Sequence, residues 1–237
     1  GRIRSARTAD AAATFRDCRR SAGDCSHRLS GTQIPAAVGR LYRRLPRRHA
    51  AAGRGRFLYR SAVQIFLIRH PRPQVAAGIC YGQLDLPALD VERTATRLRQ
   101  QLPADLPLIS SPLQRCRALA EALHPSPRFE PELMELNFGE WEGRHWDQIG
   151  AEALDAWAAD LLHHAPPGGE SVAMLQARSI TSLNALAAEG LPACVVVTHA
   201  GVMRATVGHA RGLPATEWSQ LKFGYGDCII LDWPLQA

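Results

Sequence analysis

Two short apolar runs, each ending on a histidine, constrain this chain more than any other feature. Val63-Gln64-Ile65-Phe66-Leu67-Ile68 leads into Arg69-His70, and Ala193-Cys194-Val195-Val196-Val197-Thr198 leads into His199. Each run has strand length and is rich in branched side chains that suit a sheet. Runs this apolar read as strands covered on both faces, the usual condition of a parallel sheet. Ligands of open α/β sheets lie beyond the C-terminal ends of the strands. Both histidines are delivered to that end, so one site built from distant parts of the chain is expected.

The segments between the two strands alternate in type. A Pro- and Gly-rich loop follows from Pro71 to Ala88, and Asp90 reads as the cap of a helix over 91–101 that Pro103 ends. A short strand over 107–109 precedes a helix starting at Ser111-Pro112, with proline in its favoured first turn, and running to about Leu123. A short strand over 128–130, a loop over 135–143 and a helix over 145–162 come next. The Pro166-Pro167-Gly168-Gly169 break then leads to a helix over 171–188 capped by Glu170 or Ser171. After the second histidine-bearing strand, a helix over 201–212 and a last strand over 227–233, antiparallel at an edge, complete the pattern. Strand–helix alternation predicts an α/β three-layer sandwich, with a mainly parallel sheet and helices on both faces.

Charge divides the chain in two. The pI near 9.3 belongs to residues 1–60, which carry 15 arginines against three aspartates; residues 61–237 carry 13 basic and 19 acidic residues. The acidic body argues against a nucleic-acid-binding face there. Residues 1–60 lack a sustained apolar period, so this Arg/Ala-rich extension is expected to be largely disordered, with at most a short helix over 40–48. It is expected to precede a domain over 61–237 without serving its chemistry. An RNA- or membrane-binding tail and a transit peptide are the alternatives. No apolar stretch approaches the roughly 20 residues of a membrane span. The six cysteines show no CxxC spacing, which argues against a zinc knuckle and for reduced thiols in a cytoplasmic protein.

Arg69, His70, Arg115 and His199 all fall at C-terminal strand ends or at the helix starts just beyond. Each residue alone has a bland reading as a packed or solvated side chain. Together they predict a cationic pocket, in which the planar forks of arginine match phosphate oxygens and a helix N-terminus adds N–H groups.

Five segments in order carry a resemblance over residues 63–237. They are Leu67-Ile68-Arg69-His70, the stretch from Ser110-Ser111-Pro112 through Arg115 to Ala120, the loop from Glu135 through Gly139 to Gly143, Pro167-Gly168-Gly169-Glu170-Ser171, and Val197-Thr198-His199-Ala200-Gly201. The pattern resembles the histidine phosphatase superfamily, also called phosphoglycerate-mutase-like. The resemblance implies a phosphomonoesterase in which His70 is the nucleophile and Arg69, Arg115 and His199 hold the phosphoryl oxygens. It implies that Glu135 protonates the leaving oxygen, since the family's acid lies four residues before a glycine, here Gly139. Glu140 and Glu142 are expected to be solvated or to cap, and Trp141 to pack the loop. No metal and no cofactor are expected.

Proline at position 71 departs from the family's Arg-His-Gly, because it has no N–H to offer. Arg72 reads equally as a substrate contact or a solvated charge. The loop from Gly78 to Pro87 is similar to that of α-ribazole-5′-phosphate phosphatases of cobalamin biosynthesis, which places Tyr81 and Gly82 at the pocket's border. The bland reading leaves Tyr81 packing the loop and Asp85 capping a turn. Ala200, next to His199, is a further candidate for substrate binding. The expected partner is a small phosphomonoester, with α-ribazole 5′-phosphate preferred over a broad-specificity role. A phosphoglycerate mutase is less favoured, because between Gly143 and Pro166 Arg144 stands against Asp147, Glu152, Asp155 and Asp160. A non-catalytic binding module of the same fold is the remaining alternative. Oligomeric state is not legible in the sequence.

Overall fold

The computed structural model describes residues 62–234. The disorder expected of residues 1–60 and the short helix over 40–48 lie outside the described residues. Along β1 (Ala62–Arg69) the side chains alternate between two apolar clusters. Val63, Ile65 and Leu67 enter one, Phe66 and Ile68 the other, as the two-residue period of a strand requires. β4 (Ala193–Thr198) behaves alike, with Cys194 and Val196 on the first side and Ala193, Val195 and Val197 on the second. On the first side the strands meet α5 (Val172–Ala188) and α6 (Ala200–Ala210) through Leu175, Leu183, Val202 and Met203. On the second they meet α1 (Val91–Arg99) and α2 (Gln114–Leu123) through Ala95, Leu98, Cys116 and Leu119. Helices therefore cover both faces, as predicted.

With β2 (Leu108–Ser110), β3 (Arg128–Phe129) and β5 (Cys228–Pro234), the sheet order is β3-β2-β4-β1-β5. The first four strands are parallel, and β5 is the antiparallel edge strand beside β1. The register aligns the strand ends. Ser110 pairs with Val197, and Arg69 with Thr198, so β2, β4 and β1 end level with one another. Ser111, His199 and His70 are thus the next residues off three adjacent strands. Their backbones stay tied to β4, since Ser111 N–H donates to the Val197 carbonyl at 3.0 Å and His70 N–H to the Thr198 carbonyl at 2.9 Å.

Three helix predictions need correction. α2 starts at Gln114, not at Ser111-Pro112, and Pro112 lies in the turn before it. The cause is tertiary: the Asp85 carboxylate accepts from the Gln114 backbone N–H at 2.7 Å and caps the helix from another loop. The helix expected over 145–162 breaks into α3 (Trp146–Ile149) and α4 (Ala151–Ala159) at Gly150, whose φ of 98° is open to glycine and strained for other residues. Asp90 precedes α1 in a left-handed conformation and makes no side-chain cap. A one-turn helix, α7 (Ala215–Trp218), was not expected. Ser171 caps α5 as predicted, accepting from Met174 N–H at 3.3 Å.

Candidate active site

His70 is almost fully buried, and its ring is oriented by a neighbour in the chain. Its Nδ1 lies 2.6 Å from the Pro71 carbonyl oxygen. A carbonyl can only accept, so Nδ1 carries the proton and Nε2 keeps its lone pair. Proline, the departure in the sequence, therefore supplies an acceptor here in spite of its missing N–H. Burial holds His70 well below the ordinary histidine value, with the guanidinium groups of Arg115 and Arg69 adding to the effect. His199 is buried completely and shifted the same way, by burial first and then by Arg115, His70, Arg69 and Arg178. The two rings stand 5.0 Å apart, centroid to centroid. Both shifts favour the neutral imidazole in the fold.

The arginines are held by carbonyls. Arg115, the second residue of α2, is fully buried; its terminal nitrogens donate to the Leu84 carbonyl at 2.9 Å and to the Gly82 carbonyl. Arg69 donates to the Phe223 carbonyl at 2.6 Å. Among the described residues neither is in an ion pair with a carboxylate, and the Nε of each is buried without a hydrogen-bond partner. Carbonyls fix a guanidinium without cancelling its charge. The fully buried charge of Arg115 carries a large desolvation cost unless an anion meets it, and the half-buried Arg69 shares that cost in part.

Glu135 reaches the same end of the sheet by a different route. Its carboxylate accepts from Gly201 N–H at 3.0 Å in the first turn of α6, the helix that His199 precedes, and from Leu136 N–H at 2.9 Å. A side chain at Gly201 would overlap that carboxylate, so glycine is required there. The Glu135 carbonyl accepts from Arg178 at 2.9 Å and from Gln83 at 3.1 Å.

Residues 65–236 match the model of the histidine phosphatase superfamily, branch 1. The chain belongs to that superfamily. It is similar to the adenosylcobalamin/alpha-ribazole phosphatase of Salmonella typhimurium, 27% identical over 183 residues that cover 72% of this chain and 90% of that protein. Among solved structures it resembles TTHB049 from Thermus thermophilus, 35% identical with a TM-score of 0.58, covering 73% of this chain and 96% of that one. It also resembles the mycobacterial glucosyl-3-phosphoglycerate phosphatase, 25% identical with a TM-score of 0.61, covering 74% and 100%. The chain is a phosphatase of this superfamily, a hydrolase of phosphomonoesters.

In this histidine phosphatase, Arg69, His70, Arg115 and His199 come together as the sequence predicts, and Glu135 joins them through α6. The other candidates separate. Gly82 supplies the carbonyl that holds Arg115, and a side chain there would run into the Leu136 carbonyl and the Phe138 ring. Tyr81 lies over Arg115, 5.6 Å from guanidinium carbon to ring centroid. Ala200 opens α6 with a buried methyl group and offers only backbone. Arg72 is exposed and lines a cleft beside the pocket.

Three residues of the site are not marked, or are marked wrongly, by the sequence. Ser111 shares a 2.8 Å hydrogen bond with His199 Nε2. It stands in one of the five motif segments, just past the end of a strand level with the other two, so register was the available signal. Tyr225 lies 3.9 Å over the Arg69 guanidinium, 5.7 Å from the His70 ring and within a 3.0 Å hydrogen bond of Tyr81. Its loop shows no pattern that marks it. Glu142 was expected to be solvated or to cap, with no role in the site. Its carboxylate instead accepts from the N–H groups of Gly82, Gln83, Leu84 and Phe138 at 2.6–3.1 Å, and so shapes the loop that holds Arg115. Among the described residues no helix is long and apolar enough to cross a membrane, and no three His, Cys, Asp or Glu side chains cluster as metal ligands.

Proposed function

We propose that this phosphatase works through a phosphohistidine on His70. The observation that carries the reading is a fully buried Arg115 with no carboxylate partner among the described residues, beside a buried histidine whose Nε2 is left free by the Nδ1 contact to Pro71. Nε2 attacks phosphorus with its lone pair, and the bond to the ester oxygen breaks. Arg69, Arg115 and His199 hold the equatorial oxygens, whose charge is what phosphoryl transfer most needs stabilised. Glu135, as the carboxylic acid, gives its proton to the departing alkoxide. In the second half Glu135 takes a proton from water, the hydroxide oxygen bonds to phosphorus, and the P–N electron pair returns to Nε2. The products are the alcohol and inorganic phosphate, and His70 is regenerated neutral.

The finer proposal is α-ribazole 5′-phosphate as substrate. The likeness to an enzyme named for that compound supports it. So do Tyr81 and Tyr225, aromatic rings that border the two guanidinium groups, a residue type suited to stacking on a planar base.

Hydrolysis of p-nitrophenyl phosphate, with and without a chelator, tests the class, and a panel of phosphomonoesters that includes α-ribazole 5′-phosphate tests the substrate. His70→Ala is expected to abolish turnover and acid-labile phosphate labelling of the protein. Turnover like the wild type in that variant would overturn the mechanism, and loss of activity with chelator would overturn its metal-free form. A lower kcat/KM for α-ribazole 5′-phosphate than for unrelated esters would overturn the substrate.

A further inference from the structure

His70 and His199 leave adjacent strands at the same level, yet their partners differ in kind. At His70 a carbonyl, which can only accept, takes the Nδ1 proton and leaves the lone pair of Nε2 unclaimed. At His199 the partner is a hydroxyl, Ser111 Oγ, 2.8 Å from Nε2. The Cys116 sulfur stands 3.4 Å from the same nitrogen and 3.9 Å from Nδ1. The ring does not cap α6, and among the described residues Nδ1 has no nitrogen or oxygen partner. Ser111, Cys116 and His199 are all fully buried.

A hydroxyl can donate or accept, so its other contacts decide. Ser111 Oγ already accepts from the Leu113 N–H at 3.4 Å. Among the described residues no carbonyl or carboxylate takes the Ser111 proton. Were Nε2 the donor, that proton would be left with the Cys116 sulfur, a weak acceptor. Burial pushes the Cys116 thiol up, so the sulfur keeps its own proton, 3.6 Å from the Thr198 carbonyl. A buried hydroxyl without a good acceptor is costly. The arrangement that satisfies every group has Ser111 donating to Nε2. Burial and Arg115 disfavour a second proton on the ring, so its one proton then lies on Nδ1.

We propose that Ser111 is a positioning residue: by donating to Nε2 it fixes His199 as the Nδ1–H tautomer and leaves that N–H to bind a phosphoryl oxygen. The two imidazoles then carry their proton on the same nitrogen and offer the pocket opposite groups, a lone pair at His70 and a donor at His199. This rests on the assignment of His199 to the phosphoryl oxygens.

The test uses the full chain with isotopically labelled histidine and two-bond proton–nitrogen correlation spectra, in which the His199 signals are those lost in His199→Gln. At neutral pH the wild type is expected to show His199 protonated at Nδ1 alone, and Ser111→Ala to show Nε2–H or a mixture. Ser111→Ala should also lower kcat for p-nitrophenyl phosphate about tenfold with a smaller change in KM, because the lost donor matters most where charge develops. A wild-type His199 protonated at Nε2, a tautomer that Ser111→Ala leaves unchanged, or a wild-type kcat in that variant overturns the proposal. The spectra need no substrate, so they judge Ser111 separately from His70. A protein that takes no acid-labile phosphate label yet shows the Ser111-dependent tautomer keeps the proton on Nδ1 and sinks only the phosphohistidine.

Discussion

Arg115 and Arg178 are both withdrawn from water, and they are satisfied in opposite ways. Arg178 meets Glu170 in a two-pronged pair at 2.6 and 3.0 Å, with side-chain exposures of 16% and 11%. Its remaining N–H groups donate to the carbonyls of Glu132 and Glu135. Arg115 has carbonyl partners only, and no carboxylate among the described residues. A carboxylate cancels a guanidinium charge, whereas a carbonyl fixes its position and leaves the charge in place. Arg178 therefore holds the wall that carries Glu135, and Arg115 keeps its field for the two histidines and for whatever anion enters.

Exchanging each arginine for an apolar side chain of similar length separates the two roles. Arg115→Met should lower kcat/KM for p-nitrophenyl phosphate by about a thousandfold, roughly 4 kcal/mol of transition-state stabilisation. Its urea midpoint should stay put or rise, because a buried charge without a counter-ion is removed. Arg178→Met should act mainly on stability, with a smaller loss of activity through the Glu135 wall. It strands Glu170 and should cost about 2–3 kcal/mol of stability, less than a fully buried pair because both side chains keep some solvent contact. Arg178→Met with Glu170→Met should recover part of that loss. Equal losses of activity and stability in both single variants would erase the distinction.

The contrast also marks what could be read from the sequence. β1 and β4 were legible because burial on both faces leaves an unbroken apolar run, and their ends fixed Arg69, His70 and His199 at one edge. Arg115 was legible through its motif, although its helix starts later than Pro112 suggests, because the Asp85 cap comes from 29 residues away. What escaped were carboxylates used at a distance. Glu142 looks like any exposed acid in a polar loop, yet it gathers four N–H groups from two segments. Nothing local tells it from Glu140, which is exposed. Tyr225 escaped for a related reason: stacking on Arg69 and reaching Tyr81 are contacts between loops, and such contacts carry no period. The break at Gly150 was missed because a periodic segment hides a glycine at positive φ.

The smallest expected effect is on pH dependence, and it follows from the same difference. His70 and His199 are held below their ordinary value near 6.5 by burial first and by Arg115 second. Unfolding returns both to that ordinary value, so below about pH 6.5 the unfolded chain binds more protons than the native one. The stability contributed is complete above that pH and is lost as pH falls toward the depressed native values. Each histidine adds a slope of up to about 1.4 kcal/mol per pH unit in that window, and none above about pH 7. Arg115→Met removes the strongest charge acting on both rings, so its urea midpoint should fall less steeply than the wild type's on going from about pH 7 to about pH 5. Arg178→Met should keep nearly the wild-type slope, because Arg178 acts on His199 more weakly than burial or Arg115 does and Glu170 offsets its charge. Parallel slopes in the wild type and Arg115→Met would mean that burial alone keeps the two imidazoles neutral, and that the unpaired charge of Arg115 acts only on the substrate.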